Sequence, residues 1–417
     1  MITIANGTVL CGVDLVAKNV NLLIDDGKII EISKEVLEGK IIDATNYIVC
    51  PTFLNAHVHI GDSVVKDMGD GKTIEEIVKP PNGLKHLALK NASDEDIINS
   101  MKTSMKEMLR TGTTHFIDYR EGGIKGIKLL KKAAKDIPIN PIILGRDDIF
   151  HEEDPDLSKV KIAIRKLLKI CDGIAPSGFG ELNDEVASLI AFECKKMNKI
   201  SSIHTGEYEN LQNDSLKKTG KTEVQRAINF GFDQLIHVTA PLNNDLDLIK
   251  CFEKNIVLCP RSNGAFSVGI PPLLDIIKRK IKPLIGTDNI MINSPNIFRE
   301  MEFTLKMMRG FYKEYVSPLE ILKMSTTNIS SSVYNCDYMG NNENNDKEYL
   351  DVNIDKKNIF PTNISEKINK SIIQEENNAE LFLSRKLSEN PYLSLINRTE
   401  IKDIICLLNK DKLIYYD

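Results

Sequence analysis

Apolar and polar positions follow two different periods along this chain. From residue 1 to 50, short β-rich runs are separated by turn residues: Ile2-Thr3-Ile4, Val20 to Ile24, Ile29 to Ile32 and Ile41-Ile42. Asp25-Asp26-Gly27 falls between two of them and suits a hairpin. From 51 to about 335, short apolar runs alternate with longer stretches at helical spacing, and strands are expected at 52–59, 113–119, 140–145, 173–177, 200–205, 233–238, 255–259 and 281–287. One of the intervening helices shows the logic. Ser93 and Asp96 have capping-box spacing, Ile97, Met101, Met105, Met108 and Leu109 mark a core-facing stripe, and Gly112 marks the exit.

Eight such strand–helix units in 51–335 match a (β/α)8 TIM-like barrel, whose usual size is about 250 residues or more. Residues 336–378 are rich in Asn, Asp, Lys and Glu, and such composition reads as an exposed polar low-complexity insertion. Strand-like text returns in 379–417, at Glu380 to Leu383, Ile401 to Cys406 and Leu413 to Tyr416. The expected fold class is therefore α/β: a barrel with a small β-sandwich domain assembled from residues 1–50 and 379–417.

Composition narrows the partners. The chain has 417 residues, 42% hydrophobic and 27% charged, which suits a globular protein with a large core. A net charge of −5 without a dense basic cluster argues against nucleic acid. No run has the length to cross a bilayer, and the start MITIANGTVLCG reads as a first strand, not a signal peptide. The eight cysteines are scattered without a CxxC pair, as expected of reduced thiols in a cytoplasmic protein.

The strand ends carry the chemistry. His57-Val58-His59 closes the first barrel strand, and residues two apart on a strand share a face. His204 ends the fifth strand, His237 the sixth and Asp288 the eighth, and active sites of such barrels sit at the C-terminal strand ends. The alternative for the histidine pair is a structural role facing a polar core, but metal-type residues on four strand ends point to one open site for a catalytic Zn²⁺ or Fe²⁺. Such an ion lowers the pKa of bound water toward ~7, and Glu207 is the candidate proton carrier, swung over the site by a turn at Gly206.

The succession PTFLNAHVH, HTGE, LIHVTA, CPRSN (259–263) and IGTDN (285–289) resembles the amidohydrolase superfamily, in its cytosine deaminase/chlorohydrolase-like branch. The resemblance covers nearly all of the chain outside 336–378. HTGE also resembles the adenosine deaminase branch, against which the β-rich start argues. The resemblance implies that His57, His59, His204 and Asp288 hold one metal ion, that His237 touches the reacting water or the substrate, and that Glu207 shuttles protons. Binuclear relatives use a lysine at the end of the fourth strand; here that text is Asp172-Gly-Ile-Ala-Pro-Ser-Gly178, so one ion is expected. It further implies hydrolytic deamination of a small N-heterocyclic substrate, cytosine-, purine- or pterin-like, with Glu207, His237 and Asp288 as catalytic residues. The alternatives are hydrolysis of a cyclic amide or of another C–N or C–Cl leaving group, and a silent barrel with a binding role. A homo-oligomer is compatible with all of them. The end segment, Asn377-Asn378-Ala379-Glu380-Leu381, departs from the family's glycine turn and Ala-Asp-Leu strand.

Other rim residues have two readings each. Arg120, Arg146 and Arg261 can clamp an anionic group or pair with acidic neighbours. Ser262 and Asn263 can face substrate or belong to a turn begun by Pro260. His86, His115 and His151 are assigned structural or surface roles, with substrate contact as the alternative for His86.

Overall fold

The computed structural model describes residues 1–79, 82–329, 371–409 and 412–416. Both chain ends join in one sheet, formed by β1 (Ile2–Cys11), β2 (Val16–Asp25), β3 (Lys28–Ser33), β4 (Lys40–Asp43) and β5 (Tyr47–Pro51) with three strands from the far end. The β2–β3 hairpin turns at Asp26-Gly27, both with the positive φ that a tight two-residue turn demands. Nine further strands form a parallel sheet: β6 (Phe53–His59), β7 (Thr113–Arg120), β8 (Asn140–Gly145), β9 (Gly173–Ile174), β10 (Ile200–Thr205), β11 (Gln234–His237), β12 (Asn255–Leu258), β13 (Leu284–Ile285) and β14 (Asp288–Asn289). The end sheet is completed by β15 (Glu380–Arg385), β16 (Ile404–Asn409) and β17 (Lys412–Tyr415), with β15 antiparallel to β5.

The expected eighth strand is two short pieces. β13 pairs with β12 and β14 pairs with β6, so together they close the barrel. Between them Gly286 presses on the first strand: a Cβ there would lie 2.6 Å from the His57 backbone nitrogen, and only glycine fits. The Asn55 side chain seals the same junction, accepting from Thr287 N at 3.0 Å and donating to Thr287 Oγ1 at 2.7 Å.

Two apolar layers follow from strand alternation. Leu54, Ile117, Leu144, Ile236 and Val257 fill the barrel. Phe116, Ile143, Ile203 and Leu235 face outward beneath the helices, together with Met101, Met105 and Met108 of the helix Asp94–Arg110. Ser93 Oγ accepts from Asp96 N at its start, half of the expected capping box. Phe53, Phe298 and Phe382 stack edge to face where barrel and end sheet meet. Most of the polar stretch 336–378 lies outside the described residues. Its end, from Ser371, packs on the end sheet: Ile373 is buried, and its carbonyl accepts from Gly12 N at 3.0 Å. No described helix is long and apolar enough to cross a membrane.

Candidate metal centre and active site

Plain alternation would not build this site. Leu54 and Ala56 face the barrel interior, so an unbroken strand would send His57 and His59 outward. Between Asn55 and Val58 the register against β7 slips by one residue. That bulge turns both imidazoles inward and hands Val58 to the outer layer. The His57 ring then lies 4.1 Å from the interior Tyr119 ring. On β11, Ile236 already faces inward, and His237 joins it through the left-handed backbone of His237 and Val238 (φ 73° and 47°). Asp288 has φ 60°. Such conformations are costly and occur where the surroundings enforce them, often at functional sites.

The expected residues converge. Ligand atoms of His57, His59 and His204 lie within 4.8 Å of one another, as do those of His57, His237 and Asp288. His57 Nε2 is 3.0 Å and His59 Nε2 3.5 Å from Asp288 Oδ1. Nδ1 of His57, His204 and His237 are buried without a hydrogen-bond partner among the described residues. Polar atoms so enclosed are costly unless something else satisfies them, and imidazole nitrogens beside a carboxylate suit a divalent ion. Desolvation lowers the pKa of His57 and His204 and brings His59 to about 3, so these rings stay neutral and able to ligate. Burial opposes ionisation of Asp288, yet the hydrogen bond from His57 and the neighbouring imidazoles hold its carboxyl well below the ordinary value. Ser262 Oγ donates to Asp288 Oδ2 at 2.5 Å and Asn289 Nδ2 to Oδ1 at 3.0 Å.

Glu207 stands beside this cluster, Oε1 3.4 Å from His237 Nε2, and burial pushes it up to about 7. Gly206 makes the expected turn with φ 57°, its N–H donating to Glu223 Oε2 at 2.8 Å. His59, His204, His237, Asp288 and Glu207 all line one cavity, with Arg146, Ser177, Glu181, Tyr208 and Phe266 on its other walls. The helix Ile74–Val78 covers part of the mouth, where Tyr208 Oη donates to Glu75 Oε1 at 2.8 Å.

The arginines divide. Arg120 is buried and paired with Glu121 at 2.8 Å, away from the cavity lining. Arg261 pairs with Glu300 and donates to Ser294 O, away from the cavity lining. Arg146 lines the cavity but is held by Glu121 and Ser177. His86 bonds to Val78 O and His151 to Glu181 O, while buried His115 meets Thr114 Oγ1.

Sequence reading missed Glu121, Lys85, Asp62 and Asn289. Glu121 Oε1 is 3.0 Å from His59 Nδ1, the second-layer carboxylate that commonly orients a metal-binding imidazole. Lys85, Arg146 and His59 hold Glu121 well below its ordinary pKa against the effect of burial. Burial pushes nearby Asp62 up to about 7. Only the Arg120-Glu121 neighbourhood at a strand end hinted at this group.

Four imidazoles and a carboxylate on the C-terminal rim of a closed parallel barrel, with a largely buried glutamate beside them, have the layout of a metal-dependent barrel hydrolase. Residues 48–341 match the model of the amidohydrolase family, and the chain belongs to that family. It is 43% identical over 415 residues to a provisionally named aminohydrolase of Methanothermobacter thermautotrophicus, covering 99% of each chain. It is 26% identical over 370 residues to the 5-methylthioadenosine/S-adenosylhomocysteine deaminase of Thermoanaerobacter pseudethanolicus, covering 82% of this chain and 83% of that one. Among solved structures it resembles the zinc complex of atrazine chlorohydrolase TrzN from Arthrobacter aurescens TC1, with TM-score 0.78, 15% identity and coverage of 98% of this chain and 94% of the other.

Proposed function

We propose that this protein is a mononuclear, zinc-dependent deaminase of a purine-like heterocycle. The observation that carries the reading is the convergence of His57, His59, His204, His237 and Asp288 on one rim with Glu207 at their edge. His57, His59, His204 and Asp288 would hold the ion; no lysine at the end of the fourth strand offers a bridge to a second. Zinc supplies Lewis acidity that makes water nucleophilic near neutral pH. Glu207 gives a proton to the ring nitrogen of the amidine, which makes the adjacent carbon electrophilic. Water adds to that carbon, with His237 and Asp288 orienting it by hydrogen bonds. Glu207 recovers a proton from the water and passes it to the amino group. The C–N bond breaks and ammonia leaves as the remaining hydroxyl proton passes to the Glu207 carboxylate, so that a ring carbonyl remains and Glu207 regains the proton it began with. A group poised near 7 suits proton transfer in both directions.

The purine preference rests on the nucleoside deaminases among the relatives, which include a 5'-deoxyadenosine deaminase of Methanosphaera stadtmanae. The test is stoichiometric ammonia release by the zinc-loaded protein from 5-methylthioadenosine, S-adenosylhomocysteine, 5'-deoxyadenosine, guanine and cytosine. Turnover of a purine substrate is expected. Release from cytosine alone would refute the purine assignment, and release from none would refute deamination of these rings.

A further inference from the structure

Lys85 is a lysine inside the protein, 2% exposed, on the short helix Leu84–Asn91 that follows the first barrel strand. Its ammonium lies 2.7 Å from Glu121 Oε1, 3.0 Å from Asn289 Oδ1 and 3.5 Å from Asp62 Oδ2. The same Glu121 oxygen is 3.0 Å from His59 Nδ1, and Asn289 donates to Asp288 Oδ1. One cation therefore touches the immediate supports of two proposed ligands on neighbouring strands, and it arrives from a segment outside the barrel wall. Each support is buried, so its orientation depends on its partners.

We propose that Lys85 is a positioning residue that couples docking of the helix Leu84–Asn91 to the metal-binding geometry of His59 and Asp288. The inference rests on the ligand set proposed above. With Lys85 seated, Glu121 is held against His59, and Asn289 is turned so that its amide meets Asp288. With Lys85 withdrawn, both supports lose a charged partner and the ligands lose their fixed aim. Linkage makes the effect reciprocal: if the docked helix raises zinc affinity, zinc stabilises the docked helix by the same factor.

Two measurements on the full chain test this. The first is amide hydrogen exchange of wild-type protein across 84–91, with and without zinc. Slower exchange with zinc is expected, and identical exchange would overturn the coupling. It needs no variant to fold. The second is zinc affinity by competition with a chromophoric chelator for Lys85→Met, with Lys90→Met, an exposed site on the same helix, as control. Lys85→Met should bind zinc about 10- to 100-fold more weakly, the usual cost of losing an outer support, while Lys90→Met matches wild type. Wild-type affinity in Lys85→Met would overturn the proposal while leaving the ligand set intact. Failure of wild-type protein to bind zinc would overturn both.

Discussion

Replacing Glu207 with glutamine isolates proton transfer from everything else in the site. The side chains are isosteric, so packing around this largely buried group is kept. Glutamine cannot carry a proton between water, ring nitrogen and amine. The nearest cluster member, His237 Nε2 at 3.4 Å from Oε1, is not among the four proposed ligands, so zinc content should not change. General acid–base catalysis is worth about 10²- to 10⁴-fold. Glu207 is assigned every proton transfer of the proposed cycle, but these share one group and do not add. A fall in kcat of about 10³-fold or more is expected, or roughly 4 kcal/mol at about 1.4 kcal/mol per factor of ten. The assay is coupled ammonia detection on the best purine substrate, with zinc measured on the same sample by mass spectrometry. A zinc-replete Glu207→Gln enzyme that keeps more than about a tenth of wild-type kcat would refute the assignment.

Two further outcomes follow from the same geometry. Zinc should stabilise the chelator-stripped protein by about 4 kcal/mol when free zinc exceeds its Kd a thousandfold, which scanning calorimetry reads as a rise of several degrees in Tm; coincident melting of stripped and loaded protein would contradict a preformed site. Gly286→Ala places a methyl 2.6 to 2.7 Å from His57 backbone and Cβ atoms that cannot step aside, so a loss of about 1–3 kcal/mol in urea unfolding and reduced zinc content are expected together. An alanine protein with wild-type zinc content would show that the strand junction tolerates spreading without moving His57.

Much of the site was legible because metal-type residues are chemically distinctive and each lies at the end of an apolar run. His57, His59, His204, His237 and Asp288 do meet where strand ends of a barrel must meet. The Glu207 turn was readable for the same kind of reason, since Gly206 permits the left-handed backbone that the structure has. The inward aim of three of these residues had another origin. The first strand needs a bulge to present His57 and His59, and His237 needs a positive φ that no glycine advertises. Period-two reasoning supplies the strand, but a one-residue slip reverses its faces.

The chain's own pattern determined the alternation of strands and helices and the order in which candidate ligands appear, because burial period and residue chemistry are local properties of the text. Tertiary structure alone decided which side chains support them. Nothing local in the sequence says that Glu121, Lys85 and Asn289 meet. Their burial beside His59 and Asp288 arises only when segments 204 positions apart are pressed together, and there an ammonium, a carboxylate and an amide must satisfy one another because water is excluded.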